Sequence, residues 1–63
     1  MSFENNLKSI RISKGLSQKD LADILCVSFK TISHWEKGYS EPNLEMLIKL
    51  KTILKVDFED LLN

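Results

Sequence analysis

Two short amphipathic segments joined by a tight turn constrain the fold of this chain more than any other feature. Apolar residues recur at helical spacing in residues 18–25 and again in residues 29–37, with only three residues between the two segments. Ala22 lies on the inward face of the first segment, and its small side chain lets two crossing helices approach each other closely. The pattern predicts a pair of short helices, the second of which presents a polar outward face.

Capping residues mark where the predicted helices begin and end. Ser17 is a favourable N-cap with Asp20 as its capping-box partner, and Gly15 supplies the left-handed residue that ends the preceding helix. The other N-caps are Ser28, Asn43 and Asp57. We therefore predict an all-α domain of five helices, at about residues 3–13, 18–25, 29–37 and 44–55, with a last short helix after residue 57.

The length of 63 residues limits the chain to one small domain, residues 1–63. The single cysteine, Cys26, excludes an internal disulfide, and one cysteine with one histidine provides too few ligands for a zinc site. No apolar stretch approaches the roughly 20 residues of a membrane span, and the N-terminus lacks the pattern of a signal peptide. We expect a cytoplasmic protein that uses no metal, cofactor or membrane.

The formal net charge is zero, but the charges are unevenly distributed. Residues 1–39 contain six basic and four acidic side chains, and residues 40–63 contain three basic and five acidic ones, so the two parts carry +2 and −2. Attraction between the first part and a phosphate backbone is therefore expected to be modest and sensitive to salt.

The predicted third helix separates its apolar and polar residues. At about 100° per residue, Ile32 and Trp35 define its core-facing side. The opposite side consists of Lys30, Ser33, His34 and Lys37. Such donors reach base edges and phosphates in DNA, but a surface helix without any ligand often has the same composition. The face by itself leaves both interpretations open.

Two further features flank the third helix. Phe29 lies in its first turn, where the ring can either contact the methyl group of a thymine or fold back over the second helix. Glu36 lies near the border of the core, as does Arg11 on the first helix. An ion pair between the two helices is one interpretation, since a guanidinium can hold a carboxylate at two points. The alternative is that both side chains stay separately solvated.

Several short motifs occur in order and without gaps over about residues 7–62. They are Ile10-Arg11, Gly15–Gln18, Leu21-Ala22, Val27-Ser28, Thr31–Ser33, Trp35–Gly38, Pro42, the leucines at 44, 47, 50 and 54, and Val56–Leu61. Together they resemble the Cro/C1-type helix-turn-helix family, also called the XRE family, of phage and bacterial repressors. The resemblance implies a compact five-helix, lambda-repressor-like domain. Its second and third helices form the helix-turn-helix, and the third lies in the major groove of DNA.

The resemblance also assigns roles to individual residues by their position. Base contacts are implied for Phe29, Lys30, Ser33 and His34, with a phosphate contact as the alternative for Ser33. Phosphate contacts are implied for Gln18, Ser28, Thr31, Lys37, Tyr39 and Ser40. Arg11 and Glu36 match a buried ion pair of the family.

The fourth predicted helix supplies the longest apolar stripe of the chain. We expect its inward-facing residues to be Leu44, Leu47, Ile48, Leu50 and Leu54. Met46, Ile53 and Leu62 lie outside this stripe, and such residues either mark a partner site or are scattered surface residues. Because members of the family usually bind DNA as two-fold dimers, we predict a homodimer interface that includes Met46, Ile53 and Leu62.

Cys26 departs from the family pattern, since relatives usually have glycine at this position of the turn. If the backbone there is left-handed, a residue other than glycine costs on the order of 1 kcal/mol. A redox-sensing thiol is the alternative role, and it requires an exposed side chain with a lowered pKa. No orienting acid accompanies Cys26 and His34, so we predict no catalytic site and no enzyme.

We therefore predict a protein that binds double-stranded DNA sequence-specifically and regulates transcription, most simply a repressor bound as a dimer to an inverted-repeat operator. No small-molecule ligand is expected. Antitoxins and restriction-modification controllers use the same domain and remain alternatives. A protein-interaction module that keeps the fold without binding DNA is a further alternative, which the zero net charge and Phe29 favour slightly.

Overall fold

The computed structural model describes residues 2–63, which form five α-helices and no strand. The helices are α1 (Phe3–Ser13), α2 (Gln18–Leu25), α3 (Phe29–Lys37), α4 (Leu44–Leu54) and α5 (Phe58–Leu62). The predicted all-α fold with five helices is confirmed. Across residues 2–63, no helix is both long enough and apolar enough to span a membrane.

The predicted N-caps fix the starts of α2, α3 and α4. Before α2, the Ser17 hydroxyl accepts a hydrogen bond from the Asp20 amide at 2.9 Å, and the Asp20 carboxylate accepts one from the Ser17 amide at 2.9 Å. The hydrogen bond from the Ser17 backbone amide, together with the nearby Ser17 side chain, holds the pKa of Asp20 below its usual value, since it favours the ionised carboxyl group. The caps of α3 and α4 join Ser28 Oγ to the Thr31 amide (3.1 Å) and Asn43 Oδ1 to the Met46 amide (2.9 Å).

Left-handed residues end α2, α3 and α4. Gly38 (φ 77°) follows α3, and glycine adopts this conformation without steric cost. Cys26 (φ 59°) follows α2 and Lys55 (φ 57°) follows α4, and the Cβ atom of each disfavours this conformation. The predicted end of α4 at residue 55 is therefore wrong by one residue, because Lys55 leaves the helical conformation and α4 ends at Leu54.

The hydrophobic core lies where all five helices meet. Its buried members are Leu7, Leu21, Ala22, Leu25, Ile32, Trp35, Leu50, Leu54 and Leu61. Each helix contributes at least one of these side chains, so displacing any helix exposes apolar surface to water. The short α5 thus depends on Leu61 for its place in the fold.

The orientation of α4 differs from the sequence-based prediction. Leu44 is 68% exposed and Ile48 is 47% exposed, so the expectation that both face the core is wrong. Met46 and Ile53 instead pack against the core, on the same side of α4 as the fully buried Leu50. Met46 lies four residues before Leu50 and Ile53 three residues after it, and these are the spacings that share one helix face.

One buried polar residue, Asn6 on α1, was not anticipated from the sequence. Its Nδ2 donates a hydrogen bond to the carbonyl oxygen of Leu61 at 3.0 Å. This contact ties the first helix to the last and satisfies both groups away from water. Within the described part of the chain, no buried side-chain nitrogen or oxygen lacks a hydrogen-bond partner.

Candidate nucleic-acid interface

An ion pair between α1 and α3 fixes the base of the candidate interface. Arg11 Nε lies 2.7 Å from Glu36 Oε2, and Arg11 Nη2 lies 3.0 Å from Glu36 Oε1. The two side chains are only 10% and 2% exposed. Arg11 Nη1 also donates to the carbonyl oxygen of Leu16 at 2.8 Å, which anchors the loop before α2. The predicted ion pair is present in the two-point geometry expected for arginine.

Gln18, the first residue of α2, joins this ion pair. Its Nε2 donates a hydrogen bond to Glu36 Oε1 at 3.0 Å, so one carboxylate oxygen receives donors from both Gln18 and Arg11. The sequence resemblance implied a phosphate contact for Gln18 but gave no sign of this internal contact. The residue remains half-buried at the helix N-terminus, with its side-chain amide held against α3.

The turn between α2 and α3 sets the crossing of the two helices. The left-handed Cys26 reverses the chain, and the Val27 amide donates to the Ala22 carbonyl oxygen at 3.0 Å. The Cys26 side chain is exposed and free. Ile32 and Trp35 are buried on the inner side of α3, which leaves the opposite side of the helix facing solvent.

The outward side of α3 contains the four residues assigned to base contacts. Lys30 is exposed, and Ser33 and His34 are partly exposed along the same helix. Phe29 is 56% exposed, and it is not among the residues that pack against the core. This exposure favours a contact with a ligand over a position folded back across α2.

Ser28 and Thr31 lie together at the N-terminus of α3. The Ser28 and Thr31 hydroxyl oxygens are 2.8 Å apart and hydrogen-bonded to each other, in addition to the cap on the Thr31 amide. The first amide groups of a helix have no partner within the helix, and the helix dipole makes this end favourable for an anion. Ser28 and Thr31 therefore border a surface that suits a phosphate group.

The other end of α3 gathers three more of the assigned residues. Beyond the left-handed Gly38, the Tyr39 amide donates to the His34 carbonyl oxygen at 2.9 Å. The Tyr39 ring meets the His34 ring edge-on at 5.6 Å, and Lys37 Nζ lies 5.8 Å from the centre of the Tyr39 ring. These contacts place a cation beside an aromatic ring on an exposed surface. Ser40 follows directly and is also exposed.

The three residues assigned to a dimer interface have different environments in the structure. Met46 and Ile53 pack against the core, so the premise that they lie away from it is wrong. Leu62 is exposed, and it lines an open pocket together with Phe3, Pro42 and Leu47. Leu62 is therefore part of an apolar surface at the start of α1 and the end of α5, and the dimer interface itself remains a prediction.

Metal coordination has no support in the described residues. Among residues 2–63, no three histidine, cysteine, aspartate or glutamate side chains lie where they could hold a metal ion.

The arrangement of α2 and α3 offers hydrogen-bond donors, hydroxyl groups and one exposed aromatic ring along a single helix, α3. Such a surface is chemically suited to contacts with an anionic partner that has a groove.

Comparison with known proteins identifies the fold and its relatives. A family model described as helix-turn-helix matches residues 7–61. The chain is 38% identical over 63 residues to the HTH-type transcriptional activator BcrR of Enterococcus faecalis, and 42% identical over 60 residues to the SPbeta prophage-derived uncharacterized HTH-type transcriptional regulator YonR of Bacillus subtilis (strain 168). These alignments cover 100% and 95% of the chain but only 31% and 56% of the two regulators.

One solved structure has the same fold over nearly the full length of both chains. The restriction-modification controller protein C.AhdI from Aeromonas hydrophila superimposes with a TM-score of 0.85 and 30% sequence identity. The match covers 94% of this chain and 89% of that protein. The five helices therefore have the lambda-repressor-like arrangement that the sequence motifs implied.

Proposed function

This chain belongs to the Cro/C1-type helix-turn-helix family, and from that premise we propose that it binds double-stranded DNA sequence-specifically through α3. We further propose that it is a non-enzymatic transcriptional regulator, most simply a repressor that blocks access to a promoter. The observation that carries the proposal is the fixed crossing of α2 and α3. Buried Ile32 and Trp35 hold the inner side of α3, and the opposite side presents its donors to solvent.

In this proposal the N-terminal half of α3 enters the major groove, as the second helix of a helix-turn-helix does. Its outward residues Phe29, Lys30, Ser33 and His34 face base edges. The residues that contact phosphates are Gln18, Ser28, Thr31, Lys37, Tyr39 and Ser40. These phosphate-contacting residues lie at the start of α2, at the start of α3, and at the end of α3 with the loop that follows, so they bracket the base-contacting residues on both sides.

Gln18 has an additional part in this arrangement. Because its Nε2 is engaged by Glu36, the remaining amide hydrogen and the backbone amides at the start of α2 are the groups available to a phosphate. The ion pair between Arg11 and Glu36 thus positions Gln18 before DNA arrives. A donor that is already positioned loses less side-chain freedom on binding.

We propose that the protein binds an inverted repeat as a homodimer, since one such domain contacts only a few base pairs. The support lies in the exposed Leu62 and the open pocket that it shares with Phe3, Pro42 and Leu47. A second copy that covers this surface would bury apolar area that is otherwise exposed to water. Since the named relatives come from bacteria, we propose the cytoplasm, where bacterial DNA lies, as the location.

A restriction-modification controller is the second candidate function. The likeness to C.AhdI, which extends over 89% of that protein, favours it. The chemistry of DNA binding is the same in both candidates, and the genes next to the bound sites separate them. An antitoxin rests on the fold alone, and a protein-interaction module has in addition only the zero net charge and Phe29 in its favour.

The test is selection of bound sequences from a random duplex pool at about physiological salt, where non-specific attraction is screened. An inverted repeat with half-sites about one helical turn apart is the expected result. Enrichment of a single short half-site would retain DNA binding and contradict the homodimer. A folded protein that enriches no sequence would overturn the proposal in favour of a protein-interaction module.

A further inference from the structure

We propose that Phe29 recognises the C5-methyl group of a pyrimidine, so that each half-site contains one thymine whose methyl group is required for full affinity. The inference rests on the proposed function and specifies which duplexes the protein prefers. It assigns sequence discrimination to an apolar contact at the first residue of α3, beside the polar contacts of Lys30 and His34.

The exposure of the ring is the first argument. Phe29 is 56% exposed, whereas Ile32 and Trp35 on the same helix are buried in the core. The exposed part of the phenylalanine ring adds nothing to the stability of the free domain, since apolar burial is the main favourable term of such a side chain. If the ring is buried against DNA, its exposed apolar area contributes to the free energy of binding, although it contributes none to the stability of the free domain.

The position of the ring is the second argument. Phe29 is the first residue of α3, and the N-terminal residues of a recognition helix are those that contact base edges. The Ser28 cap fixes the backbone immediately before it, with Ser28 Oγ bound to the Thr31 amide at 3.1 Å. The neighbouring hydroxyls of Ser28 and Thr31 are hydrogen-bonded to each other. The ring therefore projects from a rigid helix start.

The chemistry of the groove selects the ligand group. Adenine, guanine and cytosine present hydrogen-bonding groups in the major groove, and among the four standard bases only thymine also presents a methyl group there. A phenyl ring offers no conventional hydrogen-bond donor or acceptor, so desolvating a purine edge or the cytosine amino group against it carries a penalty. The C5-methyl of thymine is the group that Phe29 contacts without such a penalty.

The test uses the duplex obtained by selection, with each thymine of one half-site replaced singly by deoxyuridine. This replacement removes only the methyl group and leaves base pairing and hydrogen-bonding groups unchanged. We expect one replacement to weaken binding about 4-fold, which corresponds to about 0.8 kcal/mol for one buried carbon group. Cytosine placed at the same position should bind more tightly when its C5 is methylated than when it is not.

Phe29→Ala should bind the thymine and uracil duplexes equally, because its side chain no longer reaches the methyl group. Ile12→Ala is the matched control, since Ile12 is an exposed apolar residue on α1, and it should keep the full discrimination. Thermal unfolding of both variants verifies that the fold is intact. Phe29→Leu replaces the ring with a smaller apolar side chain, and this variant should retain part of the preference for thymine.

The inference is overturned if no uracil replacement weakens wild-type binding, or if Phe29→Ala still discriminates as the wild type does. Both results leave sequence-specific binding itself in place. Failure of the proposed function has a different signature, because the random pool then yields no enriched duplex in which thymine can be replaced.

Discussion

The side-chain amide of Gln18 lies 3.0 Å from Glu36 Oε1, so the first residue of α2 is hydrogen-bonded to the last turn of α3. The same oxygen receives Arg11 Nη2 at 3.0 Å. One carboxylate, only 2% exposed at its side chain, therefore connects α1, α2 and α3. The connection has consequences both for stability and for the proposed contact with DNA.

Glu36→Ala should lower the free energy of unfolding by about 3 kcal/mol, because it leaves the Arg11 guanidinium largely buried without its carboxylate. Urea denaturation of the wild type and the variant measures the difference. Glu45→Ala is the control, since Glu45 is exposed and meets Lys49 only at 3.8 Å, and it should change stability by less than about 1 kcal/mol. An equal decrease in the free energy of unfolding in the two variants would show that the Arg11–Glu36 ion pair stabilises the fold no more than an exposed pair does.

Lys30→Ala should weaken binding to the selected duplex more than binding to random DNA, since Lys30 faces base edges in the proposal. Lys37→Ala should weaken both to a similar degree and reduce the salt slope of binding by about 1, as expected for a phosphate contact. Titrations at several salt concentrations measure both quantities. Uniform losses for Lys30→Ala would reassign that lysine to a phosphate.

Cys26→Gly should raise the free energy of unfolding by about 0.5–1 kcal/mol. Glycine removes the steric cost of the left-handed backbone at φ 59°, partly offset by the greater freedom of the unfolded chain. Cys26→Ser keeps a Cβ atom and should show no such gain. Unfolding curves for the three proteins decide the point, and a gain in the serine variant would assign the cost to the thiol instead of the backbone.

Trp35→Ala should cost about 3–5 kcal/mol, because the indole is buried in the core between α3 and its neighbours. A domain of this size has only a small margin, so we expect the cooperative melting transition to be lost or strongly lowered. Tyr39→Ala is the aromatic control: its exposed ring contributes little to stability, and the proposal gives it a phosphate contact. A normal melting temperature for Trp35→Ala would contradict the packing of α3.

The helix limits were predictable from the sequence because their signals are local. Ser17, Ser28 and Asn43 each cap a helix through an amide three residues away, so the interaction lies within one turn of chain. The Arg11–Glu36 ion pair was also anticipated, since each residue borders an apolar stripe and the family resemblance pairs them. The same resemblance assigned the outward residues of α3, and their roles in DNA binding remain predictions.

The orientation of α4 was not predictable in the same way. Two apolar stripes border each other on this helix and share only Leu54: one includes Leu44 and Ile48, and the other includes Met46, Leu50 and Ile53. Both are compatible with helical periodicity, and the sequence alone does not rank them. Packing against the other helices selects the second stripe, which places Met46 and Ile53 against the core and leaves Leu44 and Ile48 exposed.

The number of helices, their caps and the family follow from the sequence alone, because they depend on neighbouring residues and on motif order. The assembled fold sets which face of α4 packs against the core, the sharing of Glu36 between Gln18 and Arg11, and the hydrogen bond from Asn6 to the carbonyl oxygen of Leu61. Gln18 and Glu36 are 18 positions apart in the chain, and Asn6 and Leu61 are 55 positions apart. Such contacts exist only when the whole core has assembled, since the shared burial of five helices fixes the distances between them.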